Sequence, residues 1–218
     1  WNAEKETRTG MIQVGLIDKM GTDLSVVNAA RVSFSKVHIE MEHKDEKLIK
    51  YLAEHQHWSP FGHTSLQFHI HAPVFVARQL AKHQVGLVWN EVSRRYVSEQ
   101  PSCYSPDKWR KAADDKKQGS VDEAVQSSKL ITKIYDEAVR TAIATYDNMI
   151  DLGVCPEQAR AVLPQSMYTE WYWTGSLYAF SRVCKLRLAP DAQQETREVA
   201  LKISEACARE FPVSWKYL

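Results

Sequence analysis

Residues 65–71 alternate without exception. Leu66, Phe68 and Ile70 fall on one side, and Ser65, Gln67, His69 and His71 on the other. A period of two puts the apolar set on one face of a pleated strand and the polar set on the opposite face. Such a strand needs a sheet with one face against a core, so the chain is committed to a layered fold rather than to helices alone. Ala72-Pro73 interrupts the alternation, and residues 74–82 read as a helix with Pro73 near its first turn.

The rest of the chain supplies more helix than strand. Residues 11–17 read as a strand. Residues 23–34 carry Leu24, Val27 and Ala30 at helical spacing behind Asp23 as N-cap, and residues 45–54 carry Leu48, Ile49 and Leu52 behind Asp45. Pro60, Phe61 and Gly62 mark a turn, and residues 100–120, polar and lysine-rich, a loop. Residues 121–152 read as one long helix whose stripe (Ala124, Ile131, Tyr135, Ala138, Ala142, Tyr146, Met149) suits packing on another helix or subunit. Gly153 stops it. Residues 156–163 form a short helix, 166–174 an aromatic strand, and 176–186 and 192–210 two closing helices. The expectation is an α+β fold: a central, mostly antiparallel sheet flanked by helices, with a long helical arm, as a single domain over residues 1–218.

Composition excludes several functions. A formal net charge of +1 provides no global field for nucleic acid or anionic membrane, so anion binding must come from local clusters. No apolar run approaches the ~20 residues needed to span a bilayer. The four cysteines, Cys103, Cys155, Cys184 and Cys207, are scattered without a CxxC pair, which favours reduced thiols and a cytoplasmic setting.

Chemistry concentrates in residues 78–96. Arg78, Lys82, Arg94 and Arg95 stand among Gln79, His83, Gln84, Asn90 and Ser93, with Glu91 as the one acid. Burying several unpaired charges is too costly for a core, so the segment reads as a site for a phosphorylated ligand. If residues 90–95 are extended, Glu91, Ser93 and Arg95 point the same way. Arg and Ser then grip a phosphate while the carboxylate accepts from a sugar hydroxyl, which describes a nucleoside monophosphate. The plainer alternative is a surface ion pair between Glu91 and Arg94 or Arg95. Arg78 and Lys82, four apart on a helix, form either a second anion site or a solvated face.

Other chemistries find less support. His55/His57 and His69/His71 are HxH pairs, but no third ligand stands in register for zinc, and no metal is expected. There is no phosphate-binding glycine loop and no Ser-His-Asp order. Cys184 lies between Arg182 and Lys185, which would lower its pKa if the thiol were exposed; a buried small thiol is the simpler reading.

Seven segments in order carry a resemblance: Asp23-Leu24-Ser25 through residues 29–33, residues 57–63, 68–73, 75–79 and 90–95, residues 159–164, and Leu186-Arg187 followed by Ala192-Gln193. Through nearly the whole chain it resembles the flavin-dependent thymidylate synthases. The resemblance implies methylation of dUMP at C5 with carbon from methylenetetrahydrofolate and reducing equivalents from NADPH through FAD, without a cysteine nucleophile. It implies that Ser93, Arg95 and Arg160 hold the dUMP phosphate, that Glu91 contacts the ribose, and that Gln79 lies beside the same ligand. Arg187 binds the uracil edge and, with His57 at the flavin and folate entrance, forms the catalytic pair. FAD is assigned to Ser33, His57, Lys82, His83, Gln84, Asn90 and Glu91, with Arg182 as a further cation. The implied assembly is a homotetramer with sites at subunit interfaces.

The chain departs from this family at two places: positions that often hold Arg and Asn in the helix before Arg187 are Tyr178 and Arg182 here, and the signature segment is changed more deeply. The usual Arg-His-Arg, two residues, Ser, one residue, Asn-Glu becomes Lys82-His83-Gln84-Val-Gly-Leu-Val-Trp-Asn90-Glu91. Two guanidinium forks become an ammonium and an amide, one residue is inserted, and Gly86 is suited to absorb it. Two alternative functions stand beside the main one: a nucleotide-binding relative without flavin chemistry, and a single-stranded nucleic-acid-binding module using Trp89 and Tyr96 between basic residues.

Overall fold

The computed structural model describes residues 11–97, 99–113 and 119–218. Its centre is a four-stranded antiparallel sheet in the order β1-β2-β6-β3. The strands are β1 (Gln13–Met20), β2 (Ser65–Pro73), β3 (Leu87–Glu91) and β6 (Tyr168–Ser176). A separate two-stranded hairpin joins β4 (Arg110–Ala112) to β5 (Ser120–Ala124). The helices are α1 (Asp23–Arg31), α2 (His43–Glu54), α3 (Ser59–Gly62), α4 (Val74–Leu80), α5 (Ser128–Asp151), α6 (Pro156–Ala159), α7 (Leu177–Arg187), α8 (Gln194–Glu210) and α9 (Pro212–Tyr217). The expected α+β architecture is present.

The alternation in β2 organises the core. Leu66, Phe68 and Ile70 are fully buried, and their cross-strand partners on β6 include Trp173 and Trp171. Trp89 of β3 extends the same face, stacked on Trp171 with ring centroids 4.4 Å apart. Phe180 and Val183 of α7, and Val199 and Ile203 of α8, close over this layer. Each such large side chain contributes roughly 2 kcal/mol by leaving water. Close packing is obligatory at Gly175. A Cβ there would lie 2.4 Å from a Leu87 methyl and 2.7 Å from the Gly86 carbonyl oxygen, so β3 reaches β6 only because residue 175 has no side chain.

Several boundaries differ from the sequence expectation, each for a local reason. Thr22, not Asp23, is the N-cap of α1, and its N–H donates to the Ser25 hydroxyl. The Asp23 carboxylate serves the other end of the chain, accepting from the Val213 and Ser214 N–H groups at the start of α9 at 2.9 and 2.8 Å. α2 starts at His43 with Glu42 as its cap, and Asp45 turns back to accept from the Glu42 N–H. Asp45 is fully buried and also receives Arg31 at 2.7 Å and His38 Nδ1 at 2.8 Å.

α4 ends at Leu80, so Lys82 lies beyond the helix and is not Arg78's neighbour on one helical face. The segment read as a loop over 100–120 contains β4, and residues 121–124 belong to β5 rather than to the long helix, which starts at Ser128. α5 does run 24 residues, with Tyr146 buried and Ile131, Tyr135 and Met149 half-buried, while Ala138 faces outward and Ala124 is not in it. The turn at Pro60 is a single helical turn, α3, and α9 was not anticipated.

Replacing Asp23 with alanine strips two N–H groups of their acceptor at the start of α9. Urea unfolding should show a loss of about 2 kcal/mol, within the range for a removed helix cap. An unchanged midpoint would mean that water replaces the carboxylate at no cost.

Candidate active site

Two cavities flank the ends of α4. The first, about 460 Å³, takes in Val74, Glu91, Arg94, Arg160, Tyr168 and Thr169 among its walls. The second, about 1130 Å³, takes in Gln79, Arg110, Arg187, Gln193 and Arg197. Of the residues assigned to the nucleotide, Glu91 and Arg160 line the first cavity and Gln79 and Arg187 the second; no residue lines both.

The first cavity is built where β3 ends. Glu91, its last residue, accepts from the Thr169 hydroxyl at 2.8 Å and from the Trp89 indole at 3.2 Å. The chain then leaves the sheet and turns, with the Tyr96 N–H donating to the Ser93 carbonyl. Glu91, Ser93 and Arg95 therefore do not share a strand face, contrary to the extended reading. The Ser93 hydroxyl accepts from the Arg95 N–H at 3.3 Å, and the Arg95 guanidinium lies 3.5 Å from Glu157. Of Arg94 and Arg95, the one that reaches the cavity wall is Arg94, which donates to the Glu99 carbonyl. Sequence reasoning also missed Thr169; only its alternation with Trp171 and Trp173 signals that it shares their face.

The second cavity depends on the end of α7. Arg187 donates from Nε to His83 Nε2 at 2.9 Å and from Nη2 to the Gln79 carbonyl at 3.0 Å. Because His83 accepts at Nε2, its own proton sits on Nδ1 and the ring is neutral. Burial, with the charges of Arg187 and Arg182, lowers the His83 pKa below its ordinary value, which keeps it an acceptor at neutral pH. Burial also pulls the Arg187 guanidinium down, but an arginine starts high enough to stay charged. The result is a cation of fixed orientation with N–H groups to spare.

The turn joining α4 to β3 carries the family departure. The Leu87 N–H donates to the Gln84 carbonyl, and Gly86 has φ of +77°. That is the third position of a type II turn, which glycine fills without strain. A Cβ there would also approach the Ala179 Cβ to 3.1 Å, so Gly86 is required by conformation and by space. The turn leaves Lys82, Gln84 and Asn90 exposed; Ser33, His57 and Arg182 are exposed as well. A hydroxyl, two amides, an imidazole, an ammonium and a guanidinium facing solvent suit the phosphates and polar edges of a dinucleotide. His57 sits at the end of a short aromatic run, 5.9 Å from Tyr51 ring to ring, and the adjacent Trp58 lies 6.0 Å from Tyr178 of α7.

His69, His71 and Cys184 are engaged within the protein. His69 Nε2 lies 2.9 Å from Glu170, and His71 stacks on Tyr168. Among the described residues no three His, Cys, Asp or Glu side chains gather to hold a metal. Cys184 is buried, and burial pushes its thiol up to about 12, the opposite of activation by its basic neighbours. Among the described residues no helix is long and apolar enough to cross a membrane.

The architecture matches that of a solved nucleotide methylase. It superposes on the UMP/dUMP methylase PolB from Streptomyces cacaoi, crystallised with 5-Br dUMP, with a TM-score of 0.87 and 30% identity, covering 96% of this chain and 95% of that one. The family model described as thymidylate synthase complementing protein matches residues 15–213, and the chain belongs to that family. A flavin-dependent thymidylate synthase of Thermus thermophilus is 40% identical over 206 residues, 93% of this chain and 73% of its own length. One of Kosmotoga olearia is 37% identical over 206 residues, 93% of this chain and 88% of its own length.

An NMR pH titration should find the His83 imidazole changing charge below its ordinary value of about 6.5. Arg187→Ala should move that midpoint upward, because a positive neighbour is gone. The sign follows from linkage: the neutral ring is the one the fold favours, so its contribution holds above about 6.5 and is lost as pH falls through the lowered midpoint. An unmoved midpoint in the variant would refute the coupling.

Proposed function

We propose that the chain catalyses reductive methylation of dUMP to dTMP, with methylenetetrahydrofolate as carbon donor and NADPH as reductant through FAD. The observation that carries the reading is Arg187, held by His83 and the Gln79 carbonyl at a polar cavity. Family membership and the nucleotide named in the PolB structure support it.

The residues divide the work. Arg187 faces the uracil edge and stabilises negative charge that builds on the ring carbonyls as C5 becomes nucleophilic. His83 keeps that guanidinium aimed and does not compete for its charge. Glu91 accepts from a ribose hydroxyl. Arg160, with Ser93 and Arg95, neutralises the phosphate, and Arg94 joins them at the cavity wall. FAD, when bound, supplies the hydride chemistry. Ser33, His57, Lys82, His83, Gln84, Asn90, Glu91 and Arg182 would hold it. Lys82 meets a phosphate as a point charge rather than a fork, and Arg182 contributes the guanidinium that this turn lacks.

The partition of nucleotide residues between two cavities supports a site completed across subunits of a homotetramer: Gln79 and Arg187 from one protomer, Glu91 and Arg160 from another. The exposed apolar side chains Val32, Phe34, Val37 and Ile39, next to Ser33, suit an intersubunit contact.

Purified protein should take up FAD and turn yellow, and dUMP should accelerate its oxidation of NADPH. A protein that binds dUMP but no flavin would instead be a nucleotide-binding relative without flavin chemistry. Arg187→Ala and Arg160→Ala should each be inactive with flavin still bound, yet mixed oligomers of the two should regain turnover. Failure to regain it would place both residues in one subunit's site. Lys82→Ala should weaken FAD more than dUMP; equal losses would contradict the division between the two ligands.

A further inference from the structure

The buried carboxylate of Glu195 has no place in the reaction as described. It lies in the first turn of α8 and is about 5% exposed. Arg110 of β4 meets its Oε1 at 2.8 Å, and the Tyr104 hydroxyl donates to the same oxygen at 3.3 Å. The Gln193 amide donates to Oε2 at 3.0 Å. Gln193 in turn accepts from the Gln79 amide, and the Thr196 hydroxyl donates to Gln79 Oε1 at 3.2 Å. Arg110 is itself braced by the Ser120 hydroxyl across the hairpin at 2.8 Å.

The polarity of this chain follows from chemistry alone. Burial is the largest single influence on Glu195 and opposes its ionisation, but the hydrogen bond and charge of Arg110, a backbone N–H and the Gln193 amide together outweigh it and hold the carboxyl below its ordinary range. A carboxylate only accepts, so the end of Gln193 that faces it must be NH₂. The carbonyl of Gln193 is then left facing Gln79, so Gln79 must present its own NH₂ there. Its carbonyl is left for Thr196, whose hydroxyl supplies the proton. Glutamine amides are otherwise free to turn end for end, and among the described residues these bonds are what selects one orientation of each.

We propose that Glu195 is a positioning residue that acts through Gln193 to set the orientation of the Gln79 amide, and so the pattern of donor and acceptor that the cavity wall offers to the nucleotide. The inference rests on the proposed dUMP site. Arg110 fixes the charge state that starts the chain, which makes the β4–β5 hairpin part of substrate recognition through this relay. Turning Gln79 over would exchange a donor for an acceptor at the ligand's edge, a mismatch that polar sites penalise strongly.

Glu195→Gln tests this, because an amide at 195 can face Gln193 with its NH₂ while its carbonyl keeps Arg110. The whole chain then inverts. Gln193→Met breaks the relay while leaving the Arg110–Glu195 pair in place, so it decides the matter if Glu195→Gln does not fold. Flavin-loaded protein is titrated with dUMP for the wild type, each single variant, Gln79→Ala, and each combined with Gln79→Ala. Each single change should weaken dUMP about tenfold and raise KM with little change in kcat. In the Gln79→Ala background neither Glu195→Gln nor Gln193→Met should add a further loss, since the group they orient is gone. Wild-type dUMP affinity in both relay variants, or losses that multiply with that of Gln79→Ala, would overturn the proposal. Absence of dUMP binding by the wild type would instead remove the parent reading, and this inference with it.

Discussion

The central strand β6 is the element on which the rest depends. It pairs with β2 along one edge and β3 along the other, and each of its ends delivers a cavity. Tyr168 and Thr169 at its start line the first; at its finish Ser176 caps α7, accepting from the Ala179 N–H, and α7 ends at Arg187 in the second. The close approach at Gly175 ties these together. It brings the Gly86 turn against the strand, so the placement of His83, Asn90 and Glu91 relative to Arg187 follows from one residue without a side chain. Moving β3 outward would disturb both cavities at once, because Glu91 sits at its end and His83 just before its turn.

The strands were readable where burial is one-sided. The alternation in β2 is complete because one face meets the core and the other does not, and β6 is marked by its tryptophans. The hairpin β4–β5 was not readable. Arg110–Ala112 is three residues long, and every residue of β5 is exposed, so neither strand carries an apolar face for a periodicity to show. Helix ends were misplaced wherever an acidic residue had a distant partner. Asp23 looks like a cap for the helix it begins, and nothing local indicates that it caps α9 instead, since the groups it binds are about 190 positions away.

The same limit governs the site. The density of cations and amides over residues 78–96 points to a segment that contributes Gln79, Glu91 and Arg94 to cavity walls, and such a cluster is local in sequence. How those residues divide is not local. Arg187 reaches His83 across 104 positions, and Arg110 reaches Glu195 across 85. Within residues 90–95, spacing alone suggests a shared strand face, but β3 ends at Glu91, opposite Trp171, and after one further bond from the Val92 N–H to the Glu170 carbonyl no partner strand sustains the period of two.

The variant turn from Lys82 to Val88 can now be weighed physically. The inserted residue is absorbed by a type II turn with glycine at its left-handed position, so β3 enters in register and Asn90 still pairs opposite Tyr172. The backbone consequence of the insertion is therefore local. The electrostatic consequence is not, because an ammonium and an amide at 82 and 84 supply one charge where two guanidinium groups would supply two. Arg182 lies close enough to His83 to help lower its pKa, which puts two cations, Arg182 and Arg187, beside the same imidazole. That His83 stays neutral among them is what allows it to accept from Arg187. A protonated ring would offer only donors to a guanidinium that has only donors, and the pair would separate. Burial first, and then the positive charge of Arg187 and Arg182, holds neutral the imidazole that with the Gln79 carbonyl aims the arginine, and the same charge favours an anionic ligand.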